Sequence, residues 1–169
     1  GGQSRRAVEL EPENPSFPDT LEGLLLSRVD VLPESERQLL KSASVLGTSF
    51  SMGLLGALLA LDEGPLMERV RSVEATGLIR MDNWGSRPYA TFSDTLLREA
   101  LYESLNFAVK RQLPRRVADF LESDRGGESA VWPVLARHFD AAGEEGKAAE
   151  YFWKAAQDAR ARYDNASAF

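Results

Sequence analysis

A mainly α-helical fold with one small β-hairpin is predicted by three features of the sequence. Apolar residues recur at three- and four-residue spacing through most of the chain, as they do along one face of a helix. The period shortens to strand-like runs at Leu78-Ile79-Arg80-Met81 and Tyr89-Ala90-Thr91-Phe92, on either side of the turn-rich Asp82-Asn83-Trp84-Gly85-Ser86. Towards the C-terminus, Ala148, Ala149, Phe152, Ala155, Ala156 and Ala159 put small and aromatic residues where two helices can approach closely.

Residues 1–17 carry Arg5 and Arg6 and then interspersed Glu and Pro, and read as an extended linker. Thr20 or Asp19 caps a helix from Leu21 to about Asp30, in which Leu21, Leu24, Leu25 and Val29 share a face. Pro33 suits the start of a second helix, Glu34 and Glu36 suit its positive end, and Gly47 stops it after Leu46. Ser51 caps a third helix through about Leu61. Asp62 to Pro65 breaks the chain, and a fourth helix covers about Leu66 to Ala75, ended by Gly77. Three helices and then a hairpin follow the order of a winged helix-turn-helix, with the hairpin as the wing.

Ser93 or Asp94 caps the next helix, whose apolar face is Leu96, Leu97, Ala100 and Leu101. Leu97, Leu101, Tyr102, Leu105 and Phe107 are expected to hold helix to helix in the core. Asn106 caps another helix, reaching Leu121. Pro114 removes a hydrogen bond to Lys110 and crowds its carbonyl, so a kink or break is expected near Leu113. Residues 123–128 read as a loop. Helices over about Ala130–Ala142 and Glu144–Tyr163 follow, and Asp164 to Phe169 reads as the start of a further one. The expected division is a linker over 1–17, a winged-helix-like helical domain over 18–125 and a helical hairpin over 126–169.

Composition excludes several functions. An apolar fraction of 43% with 27% charged residues is that of a globular chain. The net charge of −6 repels phosphate backbones unless one face is locally basic. The helix before the wing offers Arg69 and Arg71 but also Glu68 and Glu74, and from Asp62 to Glu99 seven acids face five bases. Nucleic acid is therefore a disfavoured partner, and a DNA-binding winged-helix transcriptional regulator is the alternative reading. The absence of Cys rules out disulfides and thiolate metal sites and fits the cytoplasm. The longest apolar run, Met52 to Leu61, contains two glycines and falls short of the ~18 residues that a membrane span requires.

Catalytic chemistry finds no footing. No Gly-x-x-x-x-Gly-Lys-Ser/Thr loop is present to cradle phosphates. His138 is the only histidine and has no second ligand at useful helical spacing, so it reads as structural. Glu34 and Glu36, Asp62 and Glu63, and Glu144 and Glu145 cluster at helix starts and turns, the pattern of capping and solvation. No catalytic, cofactor-binding or metal-binding residue is assigned, and the segment is not expected to be an enzyme. Lys110, Arg111, Arg115 and Arg116 form the strongest basic cluster. It reads first as a solvated face paired with Asp119, Glu122 and nearby acids, and second as a dock for an acidic partner.

Four passages in order resemble one family. PDTLEGLLLSRVDVLPESERQLLKSASVLGTSF (18–50) is similar to the segment after the ATPase module in bacterial STAND-type signalling ATPases, as in adenylyl-cyclase-associated and large LuxR-type regulators. LMERVRSVEATGLIR (66–80) and YATFSDTLLREALYESL (89–105) resemble the passages that follow there. ARHFDAAGEEGKAAEYFWKAAQDARARYDNASAF (136–169) resembles the entry into tetratricopeptide (TPR)-like repeats, so the helical hairpin resembles the start of a TPR-type solenoid. The resemblance implies a regulatory segment coupling a nucleotide-binding module of the same polypeptide to repeats that receive a protein partner or ligand. The chain departs from the family at two positions. Asp94 stands where relatives carry a nucleotide-sensing His, and a carboxylate there would repel phosphate. Leu113-Pro114 replaces a frequent Leu-His. With the basic cluster, Trp84 and Arg87 near the hairpin tip are the candidate contact residues, or else Trp84 merely covers the hairpin.

Overall fold

A computed structural model describes residues 20–84 and 87–166, and the side chains of residues 83, 84, 87, 165 and 166 are not among those described. The expected linker over 1–17 lies outside this range. The described chain is mainly helical, with a small three-stranded antiparallel sheet.

Helix α1 (Leu21–Asp30) starts at Thr20, whose hydroxyl accepts from Gly23 N at 3.1 Å. Helix α2 (Glu34–Leu46) ends at Gly47, where φ is +120°. Strand β1 (Ser49–Ser51) was not anticipated from the sequence. It leads directly into α3 (Met52–Leu59), which Ser51 caps by accepting from Leu54 N at 3.2 Å. Helix α3 ends at Leu59 because Ala60 takes the left-handed conformation at φ 53°. Helix α4 (Glu63–Ala75) begins three residues before the sequence suggests. Pro65 does not break it, because a first-turn residue has no intrahelical partner for the N–H that proline lacks.

Strands β2 (Ile79–Trp84) and β3 (Arg87–Phe92) form the hairpin and run further towards the tip than expected. The sheet order is β1-β3-β2, with Phe50 opposite Ala90 and Ile79 opposite Phe92. Helix α2, strand β1, helices α3 and α4 and the hairpin, whose second strand pairs with β1, form one packed unit. Its core unites Leu39 and Leu40 of α2, Leu55 of α3, Val70 of α4 and Phe92 of β3. Two carboxylates fix the edges: Glu36 accepts from Ser72 at 3.1 Å, and Glu74 accepts from Met81 N on edge strand β2 at 2.8 Å.

Helix α5 (Thr95–Glu103) buries Leu97 and Leu101 in the same core. Helix α6 (Phe107–Arg125) is continuous, so the expected break at Pro114 is not there, nor is a loop over residues 123–125. The proline ring is buried, and that packing offsets part of the cost of the missing hydrogen bond. A short 3₁₀ turn (Ser129–Val131) precedes α7 (Trp132–Ala141), and α8 (Glu145–Ala166) follows. Asp164 to Ala166 belong to α8 rather than to a further helix, and residues 167–169 lie outside the described range.

A second core joins Ala118 of α6, Leu135 and Phe139 of α7, and Ala148 and Tyr151 of α8. Helix α6 therefore packs on α2 and α3 and also contributes to the second core. Not every expected contact is buried. Phe107 is 74% exposed, and Phe152 faces outward on α8 at 47%. No described helix is long and apolar enough to cross a membrane.

Candidate functional site

Two of the four residues of the basic cluster on α6, Arg111 and Arg115, hold the α7–α8 turn in place. Lys110 pairs with Glu103 at 2.6 Å and lies 5.2 Å from the centre of the Tyr102 ring. Arg111 Nε donates to Ala142 O at 3.0 Å and so satisfies a carbonyl at the end of α7. Its guanidinium fills the space beside Gly143, where φ is +77° and a Cβ would collide with it. Arg115 donates to both oxygens of Asp119 at 2.9 Å and also pairs with Glu144. Glu122, expected to pair with this cluster, accepts from Lys147 at 2.5 Å and from Tyr151 OH at 2.9 Å, and Arg115 acts on it only through the weaker attraction of its charge. Arg116 is exposed.

The Tyr151 hydroxyl is pushed up to about 12 by burial and then by its bond to Glu122. The Tyr151 ring stacks on Phe139 with centroids 5.8 Å apart. Trp132 Nε1 donates to Gly126 O at 2.9 Å and closes the α6–α7 connection.

Asp94 acts as the N-cap of α5, accepting from Leu96 N at 2.8 Å. Its carboxylate thereby serves a backbone donor at the positive end of a helix. Trp84 and Arg87 are register partners at the ends of β2 and β3, and their side chains lie outside the described residues. Helix α4 exposes Glu63 and Glu68 as well as Arg71, so its surface is mixed in sign.

The sequence reading missed a cleft of about 540 Å³ between the two units. The end of α2, β1, α3 and β3 form one wall, and α5, α6 and α7 complete it. Arg98, Arg125, Arg137 and His138 all line it, and no Asp or Glu does. Arg98 lies 5.7 Å from the Tyr102 ring centre, and its Nε is buried with no hydrogen-bond partner. Arg125 is paired with Glu128 through Nε at 2.9 Å and through a second nitrogen. Burial first, and then the Arg137 cation, push the His138 imidazole down to about 4, so it is neutral at pH 7. With no carboxylate in the lining, a Ser–His–carboxylate arrangement is not assembled here. Among the described residues, no group of three or more His, Asp or Glu is placed to hold a metal ion.

These cleft residues come from three different helices, and nothing in their local spacing links them. Arg125 and Arg137 follow Leu121 and Pro133 at helical spacing, but Arg98 follows Asp94, so the pattern of charge along the chain does not single the three out. No protein-family model matches the chain, and a search of curated proteins finds no match.

Proposed function

We propose that the chain is a non-catalytic regulatory and interaction segment of a larger signal-transduction ATPase, acting in the cytoplasm. In this reading the winged-helix unit docks on the nucleotide-binding module of the same polypeptide. The helical hairpin receives a protein partner or ligand, and α6 carries the change between them. The observation that supports this most directly is the placement of α6. One unbroken 19-residue helix packs on α2 and α3 and also supplies Ala118 and Leu121 to the second core. A helix moves as a unit, so a shift of the hairpin is felt at the winged-helix unit.

Arg111 and Arg115 serve that transmission by fastening α6 to the α7–α8 turn, and Lys110 fastens it to the end of α5. Arg116 and the hairpin residues Trp84 and Arg87 are left as docking contacts. The four ordered passages similar to STAND-type ATPases add family context. Asp94, occupied as a helix cap, takes no part in nucleotide sensing in this scheme.

The test begins with the coding frame upstream of this segment. The natural neighbour is expressed together with the chain, and amide hydrogen exchange over residues 79–92 is compared with ADP and with ATP bound. Slower exchange across the hairpin in one nucleotide state is the expected result. A frame without a P-loop, or exchange indifferent to nucleotide, overturns the proposal.

A further inference from the structure

We propose that the cleft between the winged-helix unit and the helical pair binds a small organic phosphate, a phosphate monoester with an apolar or aromatic body. This goes beyond the docking role and does not depend on it.

Charge is the first argument. The chain carries 26 acidic residues against 20 Lys and Arg, yet this cleft gathers three guanidinium groups and no carboxylate. Glu128 already answers Arg125, which leaves Arg98 and Arg137 without an ion-pair partner among the described residues. Two uncompensated cations match the dianion of a phosphate monoester, whose second pKa is about 6. A guanidinium also meets phosphate oxygens through two parallel N–H donors, which a lysine cannot do.

The second argument is a missing acceptor. Arg98 Nε is buried with no hydrogen-bond partner, and a buried donor left unsatisfied is destabilising. The guanidinium lies within cation–π distance of the Tyr102 ring, 5.7 Å from its centre. A ligand oxygen would supply the acceptor once the guanidinium turns towards the cleft that Arg98 lines. Arg98 comes from α5 and Arg137 from α7, so one phosphate contacting both would bridge the two units and fix their relative position.

Size and lining define the rest of the ligand. About 540 Å³ is within the range of small-molecule sites and exceeds what a bare phosphate fills. Beyond the cations the wall is largely apolar, with Val45, Leu54 and Val134 among its members. Tyr89 lines the same cleft as Arg125.

Calorimetric titration of the whole chain at pH 7.5, in buffer free of phosphate, tests the proposal with three probes: phenyl phosphate, inorganic phosphate and phenol. Phenyl phosphate is expected to saturate one site per chain, more tightly than inorganic phosphate, with no saturable binding of phenol. Arg98→Gln and Arg137→Gln are each expected to weaken phenyl phosphate at least tenfold. Arg137 is exposed, so its variant keeps the fold even if removal of Arg98 does not. Arg160→Gln, on the exposed surface of α8, is expected to change nothing. Absence of saturable binding, or binding untouched by Arg137→Gln, overturns the site. Equal affinity for inorganic and phenyl phosphate overturns the organic body, and equal affinity for phenol overturns the phosphate.

Discussion

Glu122 and His138 make the junction sensitive to acid by two different routes. The Lys147 ammonium holds the Glu122 carboxyl below its ordinary value, burial opposes this, and Tyr151 adds to the lowering. The stability that Glu122 contributes is present above the unfolded value near 4.5 and is lost as pH falls through the lower folded value. His138 has a folded value of about 4 against 6.5 when free. The unfolded chain takes up that proton first, so stability is present above 6.5 and drains away as pH falls towards 4. The loss is at most about 3 kcal/mol. Urea midpoints measured against pH should therefore fall in two limbs. His138→Gln is expected to flatten the upper limb, and Glu122→Gln the lower one, with a further cost of about 1–3 kcal/mol at pH 7 from the stranded Tyr151 and Lys147 donors. A His138→Gln profile identical to the parent between pH 6.5 and 4.5 would remove histidine from the explanation.

At the scale of elements, what could be read in the sequence was what local chemistry dictates. Thr20, Ser51, Asp94 and Asn106 are caps because a short polar side chain precedes an apolar run, and each accepts from a backbone N–H two or three residues on. Strand β1 was hidden because three residues carry no period, and its pairing with β3 is settled only by the fold. The proline at position 65 misled because its position within the first turn, not its presence, decides the outcome. The Arg98–Arg137 cleft could not be read at all, since its parts meet only when α5 and α7 are folded around α6. Pro114 combines both lessons: the local penalty is real, yet the ring is buried and the helix continues. An interior proline costs ~3 kcal/mol against alanine, and losing the buried ring gives back about 1–2 kcal/mol. Pro114→Ala is therefore expected to raise stability by about 1–2 kcal/mol. A lower urea midpoint would show that packing of the ring outweighs the absent hydrogen bond to Lys110.

Across the whole molecule, two apolar cores are joined by one helix and separated by a cleft lined with cations. The first core draws on α1–α5 and the sheet. The second is built from α6, α7, α8 and the short turn before α7, and a small core has little stability to spare. Phe139 is fully buried at the centre of the second core, stacked on Tyr151 and 4.7 Å from Lys147 Nζ. Phe139→Ala should cost about 3–5 kcal/mol, comparable to what so small a unit can hold. Calorimetry of Phe139→Ala is thus expected to split into two transitions. Amide exchange should accelerate over residues 133–151 while residues 39–46 and 90–101 stay protected. A single transition displaced to lower temperature, with both cores exposed together, would mean that α6 binds the two units into one cooperative body. The transmission assigned to α6 would then rest on rigid coupling rather than on two units moving against each other across the cleft.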